Sequence, residues 1–283
     1  MRRTSERPAE GRYPISQGEA ELLHDPDREQ GWMLSIGGVP QSYVDLGDPT
    51  HLEFEYMRRL GDVVDQLGVG DEPLDVVHVG GAGCTLARYV AVTRPGSRQV
   101  VYELDARLVQ LVRDQLDLKS VRGLKVKIGD GGAGLESLPD DADDLVVLDA
   151  FTGAVMPVEL ASLEFARQAA RILRPDGAFL VNVADSGRMQ FARRLAATLA
   201  EAFPHTMLLG EAGVLRGRRF GNLILAGSAE PLPVAELTRR SAGGIAPARC
   251  MDTGELARWT SGYAPIQAGE AVLAPEPPPA IFT

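Results

Sequence analysis

The chain has 283 residues, 45% of them hydrophobic and 24% charged, which suits one large soluble domain with a small appendage. Its formal net charge of -10, from 39 acids against 29 lysines and arginines, argues against a nucleic-acid partner, whose usual footprint is a basic patch. Two cysteines are too few for a disulfide framework, no apolar run approaches the ~20 residues of a membrane helix, and "MRRTSERPAEGRYPIS" lacks the apolar core of a secretory signal. A cytoplasmic protein with no membrane contact is expected.

Residues 1–18 read as a polar, disordered lead. Residues 19–46 hold short apolar runs broken by "DPD" and "GG", the punctuation of hairpins, and predict a small antiparallel β-layer. In "DPTHLEFEYMRRLGDVVDQLG", which completes an N-terminal unit ending near 66, Asp48 can cap a helix and Pro49 suits its first position. Leu52, Tyr56, Leu60 and Val63 then share one face of a helix of about four turns.

From residue 67 strands alternate with helices. "LDVVHVG", "RQVVYELD", "LKVKIGD", "DDLVVLDAF" and "AFLVNVAD" read as five strands. "TLARYVAVTRP", "ARLVQLVRDQL" and "VELASLEFARQAARILRPDG" read as helices between them, and "RMQFARRLAATLAEAFP" as one after the fifth. "TMLLGE" and "FGNLILAGS" lack a helix between them and are expected as an antiparallel pair at the sheet edge. The pattern predicts an α/β fold: a doubly wound, Rossmann-like sheet over 67–263 with an antiparallel final pair and the β-layer in front. The proline-rich stretch 264–283 is expected as an extended strap or a disordered tail.

Ligands of such sheets bind at the carboxyl ends of the strands. The first strand ends at Val79, which places Gly80, Gly81 and Gly83 there, where missing side chains let the backbone approach a ligand. A dinucleotide fingerprint is only partly met, because its third position is Leu86. Glu103 ends the second strand, 23 residues after Gly80, where an acid can take both ribose hydroxyls. Asp130 ends the third, where it can accept from an exocyclic amine such as that of adenine, and Gly131 keeps the wall thin. Asp149 follows four apolar residues at the end of the fourth strand; partial desolvation should raise its pKa and suit it to accept a proton or hold a cationic amine. The bland readings are a solvated strand-end acid for Glu103, an ordinary Asp-Gly turn for Asp130 and a cap or loop acid for Asp149. Together the four strand ends point to an adenosine-bearing ligand, since no G-K-[ST] follows the loop to hold a phosphate.

Taken in order, "VGGAGCTLARYV", "VYELD", "IGDGGAG", "VVLDAF" and "LRPDGAFLVNV" resemble the spermidine synthase family over roughly residues 20–228, with "GVPQSYVDLGDPTHLEFEY" resembling its β-domain and joining segment. The resemblance implies the class I S-adenosylmethionine-dependent methyltransferase-like fold. It also implies transfer of an aminopropyl group from decarboxylated S-adenosylmethionine to an amine, without a metal, in a homodimer. It assigns Glu103 to the ribose, Asp130 to the adenine amine, the loop glycines to the methionine-derived part, Gln41 to the nucleoside and Asp149 to deprotonation of the attacking amine. His51, Glu53 and Tyr56 are the polar groups available where the family carries a tyrosine-containing segment. Two family acids are missing: the loop is G-G-A-G-C-T, without the aspartate that holds the aminopropyl ammonium, and Thr152 replaces the second acid of D-[ST]-x-D. Each loss removes a charge-assisted contact worth roughly 1.5–3 kcal/mol.

The leading expectation is thus an aminopropyltransferase-like enzyme acting on a small-molecule amine. An enzyme methylating a small nucleophile with intact S-adenosylmethionine is the first alternative, and a non-catalytic nucleoside- or polyamine-binding homologue the second. A nicotinamide dehydrogenase ranks last. His78 is expected as a satisfied core histidine, Cys84 as a packing residue, Trp32 and Trp259 as core or lid anchors, and the four histidines show no metal spacing.

Overall fold

Alternating apolar residues between Gly11 and Asp45 build a four-stranded antiparallel meander in the computed structural model, which describes residues 8–153, 155–243, 247–272 and 274–276. Its strands are β1 (Gly11–Ile15), β2 (Gly18–His24), β3 (Gly31–Ile36) and β4 (Val39–Asp45), hydrogen-bonded in that order. β1 falls inside the stretch expected to be a disordered lead. Its Pro14 discourages a strand reading, yet the strand lies at the sheet edge, where a missing N–H is tolerated. Residues 1–7 lie outside the described residues. Leu22, Trp32, Leu34 and Val44 turn inward against the helices of the larger layer, so Trp32 is a core anchor.

The linking helix α1 (Glu55–Val64) begins six residues later than Pro49 suggests. Asp48 caps a turn instead, accepting from the backbone and hydroxyl of Thr50, and Phe54 precedes the helix without a side-chain cap.

The main sheet has eight strands. Its parallel half comprises β5 (Asp75–Val79), β6 (Arg98–Glu103), β7 (Leu124–Ile128) and β8 (Asp143–Leu148), joined by β9 (Leu173–Asp185). Helices α2 (Thr85–Thr93), α3 (Ala106–Gln115), α4 (Gly131–Glu136) and α5 (Leu163–Ile172) make the crossovers. β9 starts earlier than the "RPDG" stop suggests: the Arg174–Gly177 segment is part of a 13-residue strand. α6 (Gln190–Ala202) leads to β10 (His205–Glu211), and after the short α7 (Ala212–Leu215) the chain returns as β11 (Gly221–Ser228). β11 inserts antiparallel between β9 and β10. The expected antiparallel pair is therefore present but is not the edge. That place belongs to β12 (Ala248–Met251), which follows α8 (Val234–Ala242) and precedes α9 (Thr253–Trp259) and pairs with β10. The order is β12-β10-β11-β9-β8-β5-β6-β7. Both faces are covered, by α1, α2 and α8 on one side and α5 and α6 on the other.

The start of the proline-rich stretch is a docked strap. Ile266 is fully buried, its carbonyl accepts from Leu163 N–H, and Arg194 pairs with Glu270. It runs along α5 and α6, while residues 277–283 of the expected tail lie outside the described residues. Trp259 packs beneath the Arg193 guanidinium, 4.5 Å from its ring centre, so it anchors this side of the core.

Asp105 joins the two sheets. It caps α3 by accepting from Arg107 and Leu108 N–H, and it also accepts from the Ser16 N–H and hydroxyl, each at 2.8 Å. Burial pushes this carboxyl up, but the hydrogen bonds to Leu108, Ser16 and Arg107 outweigh it and hold the pKa below 3.8. The ionised group therefore stabilises the fold above the unfolded-state value, and that contribution is lost as pH falls through the lower folded value. Asp105→Ala should cost about 1–2 kcal/mol, read as a lower Tm and faster amide exchange at Ser16. An unchanged Tm would show that the β-layer is held by apolar packing alone.

Candidate active site

Two cavities meet above the carboxyl ends of β5, β6 and β8. The larger, about 410 Å³, runs past Gly80, Gly81, Glu103, Asp105 and Asp130 between the β-layer and the main sheet. That volume lies within the range of small-molecule pockets. The smaller, about 140 Å³, lies behind the glycine loop and is walled by Tyr56, Asn182, Phe220 and Asn222. It is too small to hold a nucleoside. Asp149 lines both, together with Gln41, Gly80 and Gly81.

The loop has this shape because its glycines have no room for side chains. Gly80 adopts φ +88°, and a Cβ there would stand 2.3 Å from the Asp149 carbonyl oxygen. At Gly81 it would meet Val101, and at Gly131 it would stand 2.4 Å from Val79. Gly83 is tight for a different reason. Its N–H donates to Ser42 Oγ at 3.0 Å and its Cα faces Ser42 and Val44, so it packs the β-layer and lines neither cavity.

Glu103 is half-buried at the end of β6. One carboxylate oxygen accepts from the Gly81 and Ala82 N–H groups, and the other from Asp105 N–H. It thus holds the glycine loop while bordering the larger cavity. Asp130 caps α4, with Oδ1 accepting from Ala133 N–H at 2.9 Å. The helix it begins is absent from the pattern expected of an Asp-Gly turn, yet Asp130 and Gly131 still reach the cavity wall.

Asp149 sits at the junction of the two cavities. Oδ1 accepts from Asn182 Nδ2 at 2.8 Å, and the Tyr56 hydroxyl lies beside the same carboxylate and favours its charged form. Desolvation raises its pKa to about 6, against the lowering effect of these two neighbours. The Tyr56 hydroxyl is pushed well above its ordinary value by burial and by the adjacent Asp149 charge, so it stays a donor. Asn222 Nδ2 donates to Asn182 Oδ1 at 2.9 Å, which orients the Asn182 amide toward Asp149. Neither asparagine was among the residues singled out from sequence. Asn182 is fully buried in the middle of "LVNVAD", and a buried amide inside an apolar strand needs a partner.

Of the three polar groups around residues 51–56, only Tyr56 reaches this site. His51 and Glu53 bond to one another at 3.0 Å and line neither cavity. The helix that was expected to start at Pro49 starts instead at Glu55, which turns Tyr56 alone toward Asp149. Thr152 is exposed on the rim of the larger cavity. Gln41 donates to the Gly153 carbonyl at 2.8 Å, so the β-layer holds the segment after Asp149.

His78 bonds to Gln99 Oε1 at 2.9 Å; Gln99 spends its amide N–H on Ala87, which assigns the proton to His78 Nε2. Burial pushes its pKa down to about 4 and it stays neutral, a core histidine. Burial pushes the Cys84 thiol up to about 12, so it is inert packing despite its place before α2. Among the described residues no group of three or more His, Cys, Asp or Glu could hold a metal ion, and no helix is long and apolar enough to cross a membrane.

A glycine turn after the first strand, acids at the next strand ends and an antiparallel strand inserted near the sheet edge define a class I methyltransferase-like protein. Human methyltransferase-like protein 13 in complex with SAH shares this fold, with a TM-score of 0.55 and 20% identity over 73% of this chain and 92% of that one. No protein-family model matches the chain. A polyamine aminopropyltransferase of Chromobacterium violaceum is 24% identical over 142 residues, and the match spans about half of each protein, 50% here and 53% there. A probable spermidine synthase from Corynebacterium glutamicum superposes with a TM-score of 0.87 and 32% identity, over 95% of this chain and all of that one. The chain belongs to the spermidine synthase family.

Proposed function

We propose that the protein is an aminopropyltransferase that uses decarboxylated S-adenosylmethionine as donor and a small amine as acceptor. The observation that carries this reading is the position of Asp149, which lines a nucleoside-sized cavity and a small, mostly apolar one at once. A base at that junction can touch an amine whose nitrogen faces a donor carbon from the other side. Glu103 would take the ribose hydroxyls and Asp130 the adenine amine, with Gln41, Gly80, Gly81 and Gly131 shaping the rest of the donor cavity. Thr152 would border it.

The donor's sulfonium activates its own alkyl group, so this chain's work is alignment, exclusion of water and handling one proton. Asp149 takes a proton from the bound ammonium, and the lone pair this frees attacks the aminopropyl carbon bonded to sulfur. The carbon–sulfur bond breaks with its electron pair going to sulfur, which leaves methylthioadenosine and the product as a secondary ammonium. Tyr56 and Asn182 keep the carboxylate aimed.

The absence of an acid from the loop at Gly80–Cys84 favours a second reading, methyl transfer from intact S-adenosylmethionine, since nothing there repels a carboxylate. Calorimetric titration with S-adenosylmethionine, its decarboxylated form and methylthioadenosine separates the two. The decarboxylated donor should bind most tightly. Preference for intact S-adenosylmethionine moves the reading to methyl transfer, and binding of none removes both.

A further inference from the structure

We infer that the acceptor is a short primary amine with one positive charge and an uncharged far end, and not a diamine; this rests on the aminopropyl-transfer reading above. Asp149 is the one carboxylate lining the smaller cavity among the described residues, and no lysine or arginine lines it. His78, on the same wall, is neutral. The remaining surface is apolar, as at Pro40, Met57, Leu86 and Phe220, or carries neutral hydrogen-bonding groups.

Charge counting then separates the candidate acceptors. A monoammonium beside ionised Asp149 makes a neutral pair. A diammonium leaves one positive charge uncompensated in a mostly apolar space, next to a donor that is itself cationic at sulfur. Burying an unpaired charge costs several kcal/mol, which an amide oxygen alone does not offset.

Asn222 indicates what the far end is. One of its Nδ2 hydrogens bonds Asn182, and among the described residues its Oδ1 accepts no hydrogen bond. A free amide oxygen on the cavity wall takes a hydroxyl or amide N–H, so a short amino alcohol suits it.

The test is methylthioadenosine release by the purified full-length protein with saturating decarboxylated S-adenosylmethionine and each of three acceptors: 4-amino-1-butanol, n-butylamine and 1,4-diaminobutane. Both monoamines should exceed the diamine at least tenfold in kcat/KM, with the amino alcohol ahead of the alkylamine. Equal or better use of the diamine overturns the inference and leaves aminopropyl transfer standing. Release from no amine overturns aminopropyl transfer itself, and the inference with it. Asn222→Asp, which supplies the missing second carboxylate, should move the diamine-to-monoamine ratio at least tenfold toward the diamine. An unmoved ratio in a folded Asn222→Asp protein also counts against the inference, and the wild-type comparison decides alone if that variant does not fold.

Discussion

Asp149→Asn is expected to lower turnover about 10²–10⁴-fold, the usual contribution of a positioned base, with donor affinity unchanged and the fold made more stable. The shape is conserved: the new amide still offers an oxygen to Asn182, and Tyr56 can reorient toward the new N–H. What disappears is the proton acceptor. Stability follows from the raised pKa. The carboxyl titrates at about 6 in the fold against an ordinary 3.8, so its ionised form is disfavoured there. The penalty is complete above the folded value and vanishes once pH drops below the unfolded one. A shift of that size corresponds to at most about 3 kcal/mol at neutral pH, and because one side of the group faces the cavity, a gain of about 1–2 kcal/mol is expected. Three readouts check this: single-turnover methylthioadenosine formation, donor titration and thermal melting. The same ionisation predicts that wild-type kcat falls as pH is lowered through about 6, and that Asn182→Ala moves that midpoint upward by removing a bond that favours the charged form. Retained turnover in Asp149→Asn would remove the residue from the reaction.

Gly80→Ala is expected to cost about 2–5 kcal/mol, the sum of a left-handed backbone penalty and overpacking, and to suppress turnover in whatever protein folds. The added methyl group would meet the Asp149 carbonyl carbon at 2.8 Å and Ala150 Cα at 2.9 Å. These are backbone atoms and no rotamer change relieves them. Gly80 N–H also bonds to the Tyr102 carbonyl, and Asp149 N–H to the Val79 carbonyl, so neither strand end can withdraw without losing a bond. The strand end that carries the base must move instead. Denaturant melts with an unchanged midpoint, together with wild-type activity, would show that the close approach is not real.

How much of this could be read in advance differs by residue. β5, β6 and β8 were legible because each is a β-branched run ended by glycine or acid, and the ends of β6, β7 and β8 place Glu103, Asp130 and Asp149 along the larger cavity. Tyr56 could not be chosen over His51 and Glu53, because that choice depends on the first turn of α1, and Asp-Pro at 48–49 imitates a helix start. Asn182 and Asn222 are 40 residues apart, and their meeting requires β11 to pair antiparallel with β9. Local periodicity fixes that β11 is a strand, not which neighbour it takes. Gly83 looked like a ligand-facing glycine for the same reason: its partner, Ser42, lies in another sheet.

The insertion of β11 between β9 and β10 also sets an order of events during synthesis. The lining of the larger cavity extends no further along the chain than Leu160, so all of its lining residues are made well before translation ends. The smaller cavity takes Asn222 from β11, and Phe220 from the residue just before it, and β11 must slot between two strands already made. Pairing over such a separation is slow compared with local folding. A growing chain therefore passes through a stage in which every lining residue of the larger cavity has been made while the smaller cavity still lacks its far wall. The smaller cavity is the later of the two to be completed.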